Sequence, residues 1–211
     1  MASVAEARLA IAYGASAVGL VSAMPSGPGP IAEELIAEIV AQVPPPIASF
    51  LLTCKQDATA IIEQQHRTRA NTIQICDRLP GRAHETLRAA LPGIALVQVI
   101  HVVDASAIEE AIAVAPFVDA VLLDSGNQTL PVKELGGTGR THDWTISRRI
   151  REAINVPLFL AGGLKASNVA DAIKQVQPWA IDVCSGVRTD GALDEQKLRD
   201  FFAAVKTATR E

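Results

Sequence analysis

The stretches Pro157-Leu158-Phe159-Leu160-Ala161-Gly162-Gly163-Leu164 and Ala180-Ile181-Asp182-Val183-Cys184-Ser185-Gly186-Val187 decide how this chain is read. Each is a short apolar run that stops at glycine and opens into a helical pattern. Continuous apolar runs of this length belong to strands buried on both faces of a parallel sheet. Glycine at the end of such a strand lets backbone N–H groups approach an anion with no Cβ in the way. Two such turns, on consecutive strands before the last two helices, are the means by which a barrel of alternating strands and helices holds a phosphate.

Outward from these turns, helix and strand patterns alternate along the whole chain. Helices are expected over 2–13, 31–42, 57–67, 82–90, 105–115, 144–153, 166–175 and 194–208. Strands are expected over 15–21, 47–52, 72–76, 94–100, 118–123, 156–160 and 180–184. Glu33 and Glu34 suit the first turn of the second helix, and Asp104 is read as the N-cap of the fifth. A long polar loop, 125–143, interrupts the rhythm. The chain begins with a helix where an eight-stranded barrel begins with a strand. The expected fold is therefore an α/β, (β/α)8 TIM-type barrel whose first strand is absent or altered.

The bulk numbers narrow the function classes. The 211 residues are 49% hydrophobic and 20% charged, enough for a single domain over 1–211 and too few for two large ones. A net charge of -4 argues against nucleic acid as a partner. No apolar stretch reaches the roughly 18 residues of a membrane span. The first residues carry no basic-then-apolar leader, so a cytoplasmic protein is expected. Cys54, Cys76 and Cys184 are odd in number and lack CxxC spacing, so neither a disulfide framework nor a zinc site is expected.

In parallel barrels chemistry sits at the C-terminal ends of the strands. Asp124 ends a strand there, half-desolvated, which suits a carboxyl group that donates a proton. Asp182 lies two residues before Cys184, so both are expected on one facing of the last strand. Gly136-Gly137-Thr138-Gly139-Arg140 is dense enough in glycine for a mobile lid or a backbone that wraps a ligand. His66 and His84 are expected on solvated helix faces, His101 at the mouth, and His142 at the start of a helix. The three cysteines all fall at strand ends, where the small core residue is the commoner role.

These segments resemble phosphoribosylanthranilate isomerase of tryptophan biosynthesis. The resemblance is carried by Leu122-Leu123-Asp124-Ser125, by Gly136-Gly137-Thr138-Gly139-Arg140-Thr141-His142-Asp143-Trp144, and by the two glycine turns. It covers the C-terminal half and is weak before it, chiefly Gly14 to Gly19 and Gln74. It implies an Amadori rearrangement of an aminoaldose phosphate, a small phosphorylated sugar-type substrate, with no cofactor and no metal. By the same resemblance Asp124 is the general acid, and Asp182, Gln74, Gly137 and Gly139 meet the substrate. Gly162, Gly163, Ser185 and Gly186 would hold the phosphate through backbone N–H groups.

Departures from the family pattern define the alternatives. The family's general base is a cysteine in a Lys-x-Cys-Gly segment, and this sequence starts just past it. The family's Ser-Pro-Arg, which meets the anthranilate carboxylate, is replaced by Ser26-Gly27-Pro28-Gly29-Pro30, and Arg188 stands where a glutamate is usual. Losing an essential base costs about 10²–10⁴ in rate. Cys54 or Cys76 could substitute for it. The other readings are a degenerate, non-catalytic sugar-phosphate-binding barrel and an enzyme on a different phosphorylated substrate, with Arg140 and Arg188 meeting its second group. Arg188 is otherwise expected on a solvated loop. Two parallel strand edges left open by a missing strand lead to the expectation of either a homo-oligomer that covers the gap or a rearranged N-terminus.

Overall fold

The computed structural model describes residues 1–209. Seven parallel strands run in chain order across one sheet, each beside the next: β1 (Ala17–Val21), β2 (Ala48–Thr53), β3 (Thr72–Ile75), β4 (Ala95–His101), β5 (Ala120–Asp124), β6 (Leu158–Leu160) and β7 (Ala180–Ile181). Helices α1 (Val4–Tyr13), α2 (Glu33–Val40), α3 (Ala58–Thr68), α4 (Ala83–Ala90), α5 (Ser106–Val114), α6 (Trp144–Ala153), α7 (Val169–Val176) and α8 (Glu195–Ala208) alternate with them. This is the curled parallel sheet of a TIM-type fold. Among the described residues β7 and β1 do not pair with each other. A small antiparallel pair, β8 (Arg188–Thr189) with β9 (Ala192–Leu193), was not read from the sequence and lies between β7 and α8.

The two-residue period of a strand sorts the core into two layers. Ile73 and Ile75 of β3, Leu96 and Ile100 of β4, and Val121 and Leu123 of β5 pack outward with helix residues such as Leu87, Ala111 and Ile150. Val18, Leu20 and Leu51 do the same against Ile36 and Ile39 of α2. The alternate positions form a cluster with no helix residue in it: Val97, Val99, Ala120 and Leu122, joined by Cys76, Leu135, Ala161 and Phe159. That cluster fills the inside of the curled sheet, as side chains do in barrels. Asp124 is two residues beyond Leu122 on β5, so the same alternation turns it to the inside at the strand's C-terminal end.

Helix starts follow their caps. The side chains of Ser3, Asp57, Asp143 and Asp194 each accept a backbone N–H from the first turn of α1, α3, α6 and α8. Several local expectations are corrected. Ala105 precedes α5 as its cap residue, while Asp104, one residue earlier, accepts the Ser106 N–H at 2.8 Å. The last strand stops at Ile181, so Asp182 and Cys184 lie beyond it and no strand period relates them. His84 is half-buried rather than solvated: its Nε2 meets Gln98 Oε1 at 2.9 Å and its ring stacks on Phe117. Arg188 is no solvated loop residue. It makes a double contact with Glu6, 2.7 and 3.1 Å, with both side chains 16% exposed.

Candidate active site

The inward end of β5 places Asp124 at one wall of a cavity of about 90 Å³ at the C-terminal mouth of the sheet. Asp182 and Cys184, just past β7, line the same cavity, as do Gln74 of β3 and Cys76 immediately after it. Asp124 Oδ1 accepts the Ser125 N–H at 2.7 Å. Asp182 is exposed at the cavity rim, yet desolvation by the surrounding walls and the charge of Asp124 push its carboxyl up to about 6. Two carboxyl groups facing one cavity, with one held toward its acid form, can share acid and hydrogen-bonding duties.

The two glycine turns line the same cavity. Gly162 and Gly163 have φ of 84° and 62°, backbone that only glycine adopts freely. A Cβ on Gly163 would sit 2.6 Å from the Arg140 carbonyl carbon, and one on Gly186 would sit 1.9 Å from Leu164 O. The turn after β7 thus packs directly on the turn after β6. The N–H groups of Gly162, Gly163, Ser185 and Gly186 have no protein acceptor among the described residues. Such N–H groups, converging from two turns, suit a phosphate.

The long loop, 125–143, covers part of the mouth. Ser125 Oγ and Thr138 Oγ1 are 2.7 Å apart, tying the glycine segment to the end of β5. A Cβ on Gly136 would lie 2.7 Å from Asp124 Oδ2, and one on Gly137 would lie 3.0 Å from Pro28. Gly137 and Gly139 line the cavity with Pro28, Met24, Leu52 and Leu135, so the loop meets the β1–α2 connection over an apolar floor. Arg140 is paired with Glu134 and is absent from the lining.

The other sequence candidates divide. Cys76 is buried and lines the cavity; burial, then the charge of Asp124, pushes its thiol up. Cys54 is half-buried outside the lining, with its thiol donating to Ala23 O at 3.1 Å, and burial pushes it up as well. His101 is buried, with Nε2 2.9 Å from Cys76 O, and lies under Gly126 rather than in the lining. His142 holds the start of α6 as expected, through Nε2 at 2.8 Å from Ser147 Oγ, yet its ring also lies near Asp124. That second role was not read from the sequence, although His142 lies inside the Gly136-to-Trp144 motif.

A larger groove, about 460 Å³, lies outside the sheet between α4 and α5, lined by Arg78, His84, Gln98 and Phe117. Its charged rim is largely spent on its own ion pairs, Arg78 with Glu110 and Arg82 with Glu85. The convergence of carboxyl groups and free N–H groups is at the mouth.

Residues 2–204 match the family model described as N-(5'phosphoribosyl)anthranilate (PRA) isomerase. The N-(5'-phosphoribosyl)anthranilate isomerase of Methanosarcina acetivorans is 35% identical over 214 residues, covering 95% of this chain and 88% of the relative. A phosphoribosyl anthranilate isomerase crystallised with reduced 1-(o-carboxyphenylamino)-1-deoxyribulose 5-phosphate superposes with a TM-score of 0.81 at 24% identity, over 98% of this chain and 95% of that one. Monomers of the dimeric phosphoribosylanthranilate isomerase from Thermotoga maritima give 0.80 at 24%, over 98% and 95%. The match runs through both halves of the sequence, well beyond the C-terminal motifs, and this chain belongs to the N-(5'-phosphoribosyl)anthranilate isomerase family.

Proposed function

We propose that the chain catalyses the Amadori rearrangement of phosphoribosylanthranilate in tryptophan biosynthesis, as a single-domain cytoplasmic enzyme without cofactor or metal. The observation that carries this reading is the shared cavity: Asp124, Asp182 and two glycine turns with N–H groups unpaired among the described residues all line it. In the reading, Asp124 gives its proton to the furanose ring oxygen and the ring opens to an iminium. Asp182 and Gln74 hold the sugar hydroxyls, Gly137 and Gly139 cover them, and Gly162, Gly163, Ser185 and Gly186 hold the phosphate. Removal of the C2 proton then gives an enolamine, which becomes the aminoketose when C1 takes a proton and the C2 hydroxyl loses one.

A cavity of about 90 Å³ is too small for such a substrate, so the glycine loop lifts to admit it. Of the two cysteines proposed as substitute base, Cys76 is the one the cavity reaches, while burial keeps its thiol protonated and works against the role. A dimer covering the unpaired edges of β1 and β7 is part of the reading.

The test is turnover of freshly generated phosphoribosylanthranilate, followed by fluorescence, beside Asp124→Asn. Turnover in the parent that falls by about 10²–10⁴ in the variant is expected for a general acid. A folded parent with no turnover sinks the reading. One observation favours a second reading, an enzyme on a different phosphorylated amine: among the described residues no Lys or Arg lines the cavity, including its apolar side at Met24, Pro28 and Leu52. Faster turnover of an aniline-derived than of an anthranilate-derived aminoaldose phosphate would select it.

A further inference from the structure

The ring of His142 is fixed from one end and free at the other. Nε2 lies 2.8 Å from the hydroxyl of Ser147, which is fully buried in α6. Nδ1 is shielded from solvent and has no partner among the described residues. It lies near the acid: the point that a Cβ on Gly162 would occupy is 3.1 Å from His142 Nδ1 and 3.2 Å from Asp124 Oδ1. The missing side chain of Gly162 leaves open the space that borders both groups. Asp124 and Asp143 are the charged groups that act on the imidazole. Burial outweighs both and holds its pKa down at about 4, so the ring is neutral at neutral pH.

We propose that His142 is a positioning residue for Asp124: the Ser147 hydroxyl donates to Nε2 at 2.8 Å in preference to the Asp143 carbonyl at 3.4 Å, which leaves the ring proton on Nδ1, unpaired in this state and donated to Asp124 Oδ1 when the carboxylate forms. Oδ1 already accepts the Ser125 N–H. The proton that Asp124 delivers is therefore carried on Oδ2, the oxygen turned to Gly136 and the lid. His142 transfers no proton itself. The Oδ2–H bond breaks toward the substrate ring oxygen, its electron pair stays on Asp124, and Oδ1 keeps the Ser125 bond and gains the Nδ1–H of His142 as the carboxylate forms. A buried unpaired donor costs stability unless it gains its acceptor, and a carboxylate forming during the reaction supplies one. The proposal rests on the reading of Asp124 as the general acid.

Two measurements test it. The first is ¹⁵N NMR of histidine-labelled protein, which reads the tautomer without turnover. A neutral His142 protonated at Nδ1, whose Nδ1 resonance moves in Asp124→Ala while His66 and His84 stay in place, is expected. An Nε2-protonated ring, or a resonance indifferent to Asp124→Ala, overturns the proposal. The second is kinetics in the active enzyme. His142→Phe should lower kcat about 10- to 100-fold, the size of one hydrogen bond to a charged group, with KM little changed. His142→Asn, which returns an amide near the Nδ1 position, should recover part of the loss. Unchanged kcat in His142→Phe, or a loss that Asn does not relieve, overturns it. If the parent shows no turnover, the proposed function fails and the NMR result alone decides the place of His142.

Discussion

Lys133 reaches from the long loop to Asp77 at the end of β3, with Nζ 2.5 Å from Oδ2 and the Asp77 carboxylate only 6% exposed. The Lys133 carbonyl also accepts the Ser26 hydroxyl at 2.6 Å, and Asn127 pairs with Glu134 on the same loop. The loop over Asp124 is thus anchored on two sides, to β3 and to the β1–α2 connection. Lys133→Met removes the ion-pair partner of a buried carboxylate. It should destabilise the protein by about 1–3 kcal/mol, a buried-pair loss reduced for the partly exposed lysine. Denaturant melts together with hydrogen exchange over 126–139 check it: unchanged melts and unchanged exchange would remove the anchoring role.

Gly186→Ala tests the packing of the two turns. The new Cβ would fall 1.9 Å from Leu164 O, so the turn after β7 must move away from the turn after β6. The N–H groups of the two turns then no longer converge. Calorimetry with a pentose 5-phosphate should show binding weakened at least about tenfold, the loss of one or more charge-assisted hydrogen bonds. Parent-like affinity in a folded variant would place the phosphate elsewhere.

Asp182 makes a signed prediction about pH. Its folded pKa, about 6, lies above the ordinary carboxylate value, raised by desolvation and by Asp124. Between about pH 4 and 6 the folded chain therefore binds more protons at this site than the unfolded one, and stability falls as pH rises through that window. Asp182→Asn removes the effect, so its advantage over the parent should be absent below pH 4 and full above pH 6. The side chain opens on the mouth cavity, where water screens part of the cost, so the direction of the trend is the readout. Parallel stability curves for the two proteins across pH 4–7 would contradict it.

Glu6 carries the opposite sign. Burial pushes its carboxyl up, but the bond from Arg188 and the N–H groups of Ala2 and Leu193 outweigh it and hold the group at about 2. The pair's contribution is present above the ordinary carboxylate range and is lost as pH falls toward 2. Arg188→Met should cost about 2–4 kcal/mol at pH 7, the loss of one partner from a mostly buried pair, with the gap narrowing in acid. Equal thermal stability at pH 7 would refute it.

The strands and Asp124 were legible because both depend on local pattern. Unbroken apolar runs such as 118–123 admit little besides a two-faced buried strand, and the two-residue period fixes which way the next carboxylate turns. Asp182 was found by position alone, since the strand period used for it ends at Ile181. What stayed hidden depends on partners far along the chain. Arg188 read as a solvated loop residue because its partner, Glu6, is 182 positions away. His84 meets Gln98, whose side chain also donates to Ile75 O and Asp77 O on the neighbouring strand, an arrangement no local period announces. The second face of His142 belongs to the same class, since it depends on the bare backbone of Gly162 on another strand.

The narrow mouth has a kinetic consequence. Its space of about 90 Å³ falls short of the roughly 300 Å³ or more of a usual ligand pocket, while Asp182, Cys184 and Ser185 on its rim are exposed, so an arriving ligand meets a cleft that must widen. Capture then waits on spontaneous opening of the glycine loop. In a stopped-flow record the observed rate would level off with rising ligand concentration at the opening rate of the loop, and ionic strength would leave that plateau unmoved.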